Sequence, residues 1–292
     1  MYDTAYDRIK LARGGERPTG INYIQRVFKG FHEFHGDRRY GDDPAVIGGI
    51  AKLHGLPVTV IAIEKGRTAK ERMRRNFGAP HPEGYRKALR LMKQAEKFGR
   101  PVICFIDTSG AHCGIGAEER GQGGAIAENL LEMSTLAVPV IAILIGEGGS
   151  GGALALALAD SVWMLRNAVY SVISPEGCAS ILWKDPTLAE QATDSLRLTA
   201  EDARALGVID GILSEENIGE QDFYDRIRDF LSEQIAILAR DPELIEKRYH
   251  RFRRIGTDVL EGEANAETLT EYFSAGSARL AVDDRSVATV KG

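Results

Sequence analysis

Three observations predict a layered α/β fold with right-handed crossovers. Apolar runs of strand length alternate with segments of helical period along the chain. The run Val140 to Ile145 has no polar residue to alternate with, as expected of a strand buried on both faces of a largely parallel sheet. Two successive strands end in glycine-containing loops, at Gly110-Ala111 and at Gly151-Gly152, and neighbouring strands would bring those loops together.

The elements follow in order. Thr4 to Leu11 reads as a helical arm, and Gly14-Gly15 with Pro18 as a linker into a helix from about Ile21 to Phe34. Ala45 to Leu53 and Pro57 to Glu64 read as a hairpin turning at His54-Gly55. A basic stretch leads to the loop Gly78 to Pro82. Glu83 to Phe98 then carries apolar residues at helical spacing and stops at Gly99. Pro101 to Ile106 is a strand, Asp107 to Gly114 the polar loop at its end, and Ala117 to Thr135 one long helix. After Val140 to Ile145, a glycine cluster opens a helix at Ala153 to Ala159. Short strands follow at Ser161 to Leu165 and Tyr170 to Ile173, and Pro175 suits the start of a helix towards Trp183. Thr199 with Asp202 resembles a helix cap. Phe223 to Arg240 and Pro242 to Phe252 are helical, and Glu261 to Gly292 is polar enough to fray.

Composition narrows the class. A chain of 292 residues, 43% hydrophobic and 27% charged, can bury a substantial core without staples. A net charge of -5 argues against a general nucleic-acid binder. Cys104, Cys113 and Cys178 form no C-x-x-C pair, so neither a disulfide framework nor a zinc ribbon is encoded, and a reducing cytoplasm fits. The charged N-terminus lacks the apolar core of a secretory signal, and the longest apolar stretch, Leu136 to Ile145, is about half of what a membrane span requires.

The chemistry concentrates at Val138 to Asp160, where Gly146, Gly148, Gly149, Gly151 and Gly152 join a buried strand to an alanine- and leucine-rich helix. Glycines there let a ligand touch the backbone, and the first helical turn has N–H groups without intrahelical partners. Aided by the helix dipole, such donors stabilise developing negative charge. Two other readings stand beside this one. Gly148-Gly149-Ser150-Gly151-Gly152 satisfies the G-x-S-x-G nucleophile elbow, making Ser150 a candidate nucleophile, although His250 is the only histidine downstream. The glycines could also serve only tight strand-to-helix packing.

The segments Phe34 to Ala51, Lys65 to Phe98, Gly116 to Gln122, Ile145 to Asp160 and Tyr170 to Asp185, taken together, resemble the α-subunit family of the bacterial acetyl-CoA carboxylase carboxyltransferase, within the crotonase superfamily. The resemblance covers about Arg17 to Ile212 and recurs near Arg251 to Gly256. It implies a crotonase-like (ClpP/crotonase) layered fold with flanking helices: an arm over 1–19, a carboxyltransferase domain over 20–238, and a helical extension with polar tail over 239–292. It implies transfer of the carboxyl group from carboxybiotin on a carrier protein to acetyl-CoA, giving malonyl-CoA for fatty acid synthesis, with no metal in this chain.

The family's site holds two oxyanion holes, one in this subunit facing biotin and one in a β-subunit facing the acyl thioester. By motif match the donors here are the amides of Gly151 and Gly152, with Gly110 and Ala111 carried from the general crotonase pattern, and Gly148, Gly149 and Ser150 as loop residues against the substrate. The implied partners are a zinc-ribbon β-subunit in an α2β2 heterotetramer, the biotin carboxyl carrier protein, and biotin carboxylase in the full complex. The chain alone would then be inactive. The alternatives are a paralogue for another acyl-CoA and a stand-alone crotonase-type hydratase or decarboxylase. Thr108 to Gly114 loses two prolines of the family pattern and carries His112 for tyrosine, Gly123-Gly124 replaces Ser-Glu, and Glu215 to Gln221 also departs from it.

Other residues carry weaker signals. Lys65, Arg67, Lys70, Arg72, Arg74 and Arg75 place six positive charges in eleven residues. They could hold the phosphates of coenzyme A or acidic groups on a carrier, with Lys65, Arg67 and Lys70 as contacts, or form a solvated helix face. His32-Glu33-Phe34-His35 falls one residue short of H-E-x-x-H. His112-Cys113 adjoins the site, but neighbours on one loop usually point apart. Glu118, Glu119 and Arg120 are expected to pair within their helix, and Asp107 to orient the first loop.

Overall fold

The computed structural model describes residues 4–256, so the expected fraying over Glu261 to Gly292 lies outside the described residues. The chain divides into two units, a compact first one up to Phe252 and a second that begins at Arg253. Among the described residues, the first holds every strand and the whole apolar core.

The arm is helix α1 (Ala5–Ala12), capped by Thr4 Oγ1, which accepts from Asp7 N. The helix expected over Ile21 to Phe34 is shorter. α2 (Gly20–Val27) ends at the extended residue Phe28, and β1 (Lys29–Glu33) follows. Gly30, at φ +58, and pairing with the next strand turn this segment into an edge strand. The hairpin forms as expected: β2 (Val46–Leu53) and β3 (Leu56–Ile63) pair antiparallel, with His54 and Gly55 both at positive φ in the turn. Within the basic stretch, Thr68 and Glu71 form a capping box that starts a short helix, α3 (Ala69–Arg74).

α4 (Pro82–Lys97) leads to β4 (Val102–Thr108). The long helix expected over Ala117 to Thr135 is broken. Gly121, at φ +81, separates α5 (Ile115–Glu119) from α6 (Gln122–Thr135). β5 (Val140–Gly149) runs past Ile145 through the glycines, and α7 (Ser150–Ala157) begins at once. β6 (Ser161–Leu165), β7 (Val169–Ser171), α8 (Pro175–Trp183), α9 (Ala189–Leu196), α10 (Ala200–Ala205), β8 (Gly211–Leu213), α11 (Gln221–Leu238) and α12 (Leu244–Arg254) complete the order. Thr199 and Asp202 form the expected capping box on α10.

The strands make one mixed sheet in the order β1-β2-β3-β4-β5-β6-β8, with β7 beside the end of β5. β1, β2 and β3 are antiparallel, and every pairing from β3 onward is parallel. A side chain added at Gly48 would strike Leu91 of α4, and one at Gly20 of α2 would strike Ala62. Gly48 and Ala62 lie on opposite faces of the β2–β3 pair, so α4 covers one face and α2 the other. On the α2 face Tyr23 stacks on Phe105 at 5.1 Å and meets Phe223 and Tyr224 of α11 edge-on. On the other face α4, α6 and α7 pack together, and the small residues of α7 let Asn129 of α6 donate to Ala155 O at 3.2 Å. β4 is buried along its whole length and β5 along most of it.

Candidate active site

The parallel pairing of β4 with β5 brings the two glycine loops together, as their place at neighbouring strand ends predicts. The contact is backbone on backbone. A Cβ at Gly149 would lie 2.1 Å from Ser109 O, and one at Gly152 would lie 2.4 Å from Ala111 N and 2.7 Å from Gly110 C. Only glycine at these two positions permits that approach. Tyr85 of α4, fully buried, donates to Gly152 O at 3.2 Å and backs the first turn of α7. Burial holds its phenol far above the ordinary range, so it stays a neutral donor.

Gly151 differs from its neighbours. A side chain there would meet only Ile126 Cγ2 at 3.9 Å, so its backbone faces open space. Ser150 is exposed and sits at φ +51, a left-handed conformation rare outside glycine. In the first loop, Gly110 N donates to Thr108 Oγ1 at 3.0 Å, so this amide has a partner already; no such bond occupies Ala111 N. Of the four expected donors, Gly151, Gly152 and Ala111 therefore lie at the junction free of a loop partner, at a helix start that favours negative charge.

Several ion pairs lie at the ends of β4 and β5. Arg13, just after α1, reaches Glu147 at 2.8 Å and Glu176 of α8 at 2.6 Å. Arg17, buried, donates to Ile145 O at 2.6 Å and pairs with both oxygens of Glu215. Lys65 turns inward, with Nζ 2.7 Å from Asp107 Oδ2, and does not join Arg67 and Lys70, which are exposed on and beside α3. Arg75 also turns away from that surface, donating to Pro44 O. Sequence reasoning missed Arg13, Arg17 and Glu215, whose partners are distant in the chain.

The remaining candidates fall elsewhere. His32 lies on edge strand β1 rather than on a helix, and His35 pairs with Asp42 at 3.0 Å. No group of three or more His, Cys, Asp or Glu gathers among the described residues to hold a metal ion. His250, the only histidine downstream of Ser150, pairs with Glu246 on α12 rather than with the serine. His112 stacks on His81 at 4.1 Å, while Cys113 is exposed. Arg120, expected to pair within its helix, instead bridges to Glu83 of α4 at 2.7 Å and lies over Tyr40.

Residues 3–256 match the family described as acetyl co-enzyme A carboxylase carboxyltransferase-like. The chain belongs to this family. It is 58% identical over 258 residues to the acetyl-coenzyme A carboxylase carboxyl transferase subunit alpha of Ruminiclostridium cellulolyticum, covering 87% of this chain and 98% of that one. It is 56% identical over 259 residues to a protein of Natranaerobius thermophilus named as carboxyl transferase subunits beta/alpha, covering 87% of this chain and 43% of the longer one. Among solved structures it superposes on transcarboxylase 12S with a TM-score of 0.63 at 19% identity, covering 77% of this chain and 43% of that chain. The shared architecture is the crotonase-like α/β fold of carboxyltransferases. No described helix is long and apolar enough to cross a membrane.

Proposed function

We propose that this chain is the α half of a biotin-dependent carboxyltransferase that moves a carboxyl group from carboxybiotin on a carrier protein to acetyl-CoA, giving malonyl-CoA for fatty acid synthesis. The observation that carries the reading is the backbone-to-backbone junction of Gly149 and Gly152 with Ser109 to Ala111, in a chain 58% identical to a carboxyltransferase α subunit.

Bound carboxybiotin would supply the carboxyl group and a ureido oxygen that gains negative charge as that group departs. The residues fit such a group: a strand-to-helix junction without side chains at Gly151 and Gly152, with amide donors at a helix start. In this chain the amides of Gly151 and Gly152, with Ala111 opposite, stabilise that charge. One donor of this kind is worth about 3 to 4 kcal/mol of transition-state energy. Tyr85 and the packed glycines hold the donors still, so no reorganisation accompanies the chemistry. The ion pairs of Arg13 and Arg17 fix the strand end behind them. Arg67 and Lys70, exposed and cationic, suit the phosphates of coenzyme A or an acidic carrier surface.

The reading requires a β partner to supply the acyl-CoA half of the site. The relative whose name joins beta and alpha subunits in one chain supports this. Affinity capture from the native lysate tests it: a zinc-ribbon subunit and a biotinylated carrier should be recovered together. Recovery of the chain as a solitary species that turns over an acyl-CoA would overturn it in favour of a stand-alone hydratase or decarboxylase.

A further inference from the structure

The β4–β5 ladder is irregular where it reaches the site. Ile106 pairs with Leu144, but Thr108 pairs with Gly148, so the single residue Asp107 faces Ile145, Gly146 and Glu147. In an unbroken ladder Thr108 would face Gly146. The bulge therefore draws the following glycines back by two residues, roughly 7 Å along the strand, and seats them beside Ser109 to Ala111. Two backbone groups within the bulge have charged partners. Glu147 N donates to Asp107 Oδ1 at 3.0 Å, and Ile145 O accepts from Arg17 Nε at 2.6 Å. Space is matched as well: a Cβ on Gly146 would lie 2.2 Å from Asp107 Oδ1, so the carboxylate fills the volume that only glycine leaves empty. Asp107 is 2% exposed, and its other oxygen accepts no hydrogen bond but forms an ion pair with Lys65 Nζ at 2.7 Å.

From this geometry we infer that Asp107 is a positioning residue: with Lys65 behind it, it holds the β5 bulge and so sets the distance between the two amide loops. The inference rests on the proposed role of Gly151 and Gly152 as donors. Asp107 does not touch substrate. It acts through the Glu147 amide and the strand end that follows.

The test uses two double variants and two readouts. Asp107→Leu/Lys65→Met removes both charges and the acceptor. Asp107→Asn/Lys65→Met removes both charges but keeps an amide oxygen for Glu147 N. Hydrogen exchange over residues 145–152 is read on the full chain, and kcat and KM on its complex with a carboxyltransferase β subunit. With the Leu/Met variant, exchange should quicken at least about tenfold and kcat fall about 30-fold or more, with KM for acetyl-CoA within about twofold. The Asn/Met variant should regain the protection and most of the kcat. Wild-type exchange and kcat in the Leu/Met variant, or an Asn/Met variant no better than it, would overturn the inference. Should Leu/Met not fold, Asp107→Asn alone decides, because one amide N–H must then face another donor, Lys65 Nζ or Glu147 N. Loss of kcat and protection supports the inference, and wild-type values overturn it. If exchange responds as expected but even the wild-type complex is inactive, the clasp stands and the proposed activity fails.

Discussion

Gly152→Ala tests the junction with one methyl group. The added carbon would lie 2.4 Å from Ala111 N, 2.7 Å from Gly110 C and 2.9 Å from Tyr85 Oη, against an ordinary contact of 3.4 Å or more. The loops must therefore separate by about 1 Å, and two of the three obstructing atoms are backbone, which cannot rotate away. A displacement of that size at a catalytic group can cost ~100-fold in rate, while overpacking costs about 1 to 3 kcal/mol of stability. Gly152 has an ordinary φ, so the loss comes from contact and not from backbone strain. The assay is malonyl-CoA-dependent carboxylation of biocytin by the complex with a β subunit, beside a thermal melt of the chain. We expect kcat to fall about 100-fold with KM changed little, because the donors act on charge that develops in the transition state. Gly151→Ala, whose methyl meets only Ile126 at 3.9 Å, should lose far less. A folded Gly152→Ala protein with wild-type kcat would refute the reasoning.

Three further outcomes concern the scaffold. Arg248, 1% exposed, binds both oxygens of Asp160 and the carbonyls of Met133, Leu136 and Val138; Arg248→Met should cost about 3 to 5 kcal/mol in urea unfolding, and less at pH 4 than at pH 8, because burial already raises the Asp160 pKa and the unpaired carboxyl would take up a proton. The Asp37 carboxyl is held at about 2, since backbone N–H groups of Tyr40, Arg39 and Gly41 and the Arg86 side chain outweigh its burial; its contribution of about 2 kcal/mol should be complete above pH 4 and lost as pH falls towards 2, so stability curves of wild type and Asp37→Asn should converge there. Gly124, early in α6, has no neighbour where a side chain would go, so Gly124→Ala should raise stability by about 0.5 to 1 kcal/mol in the same unfolding measurement.

The parts legible in the sequence were those encoded locally. The uniform apolarity of Val140 to Ile145 announced a central strand, the glycines after it announced a close backbone approach, and His54-Gly55 announced a hairpin turn. Other local signals were present and outweighed. Thr68 and Glu71 spell a capping box, but the surrounding charges drew the reading to a phosphate-binding patch or a solvated helix face without marking where the helix starts. Gly121 sits inside an otherwise helical pattern, and only its left-handed φ ends α5. β1 lacks alternation because it is an edge strand with four of its five residues exposed. Of the clasp around the site only an orienting role for Asp107 was legible, and its carboxylate holds Glu147 N at the end of β5 rather than the first loop. Arg17 meets Ile145 across 128 positions and Arg13 meets Glu176 across 163, and no pattern in one sequence pairs charges so far apart. The inward turn of Lys65 was hidden for the same reason: its charge run suggested a surface, whereas its partner is Asp107, buried at the end of β4.

The most direct test of the central claim is turnover by the reconstituted complex. The wild-type chain, mixed with a carboxyltransferase β subunit, should carboxylate biocytin from malonyl-CoA, while either subunit alone should not. A stable complex without that activity, or turnover of an acyl-CoA by this chain alone, would contradict the account.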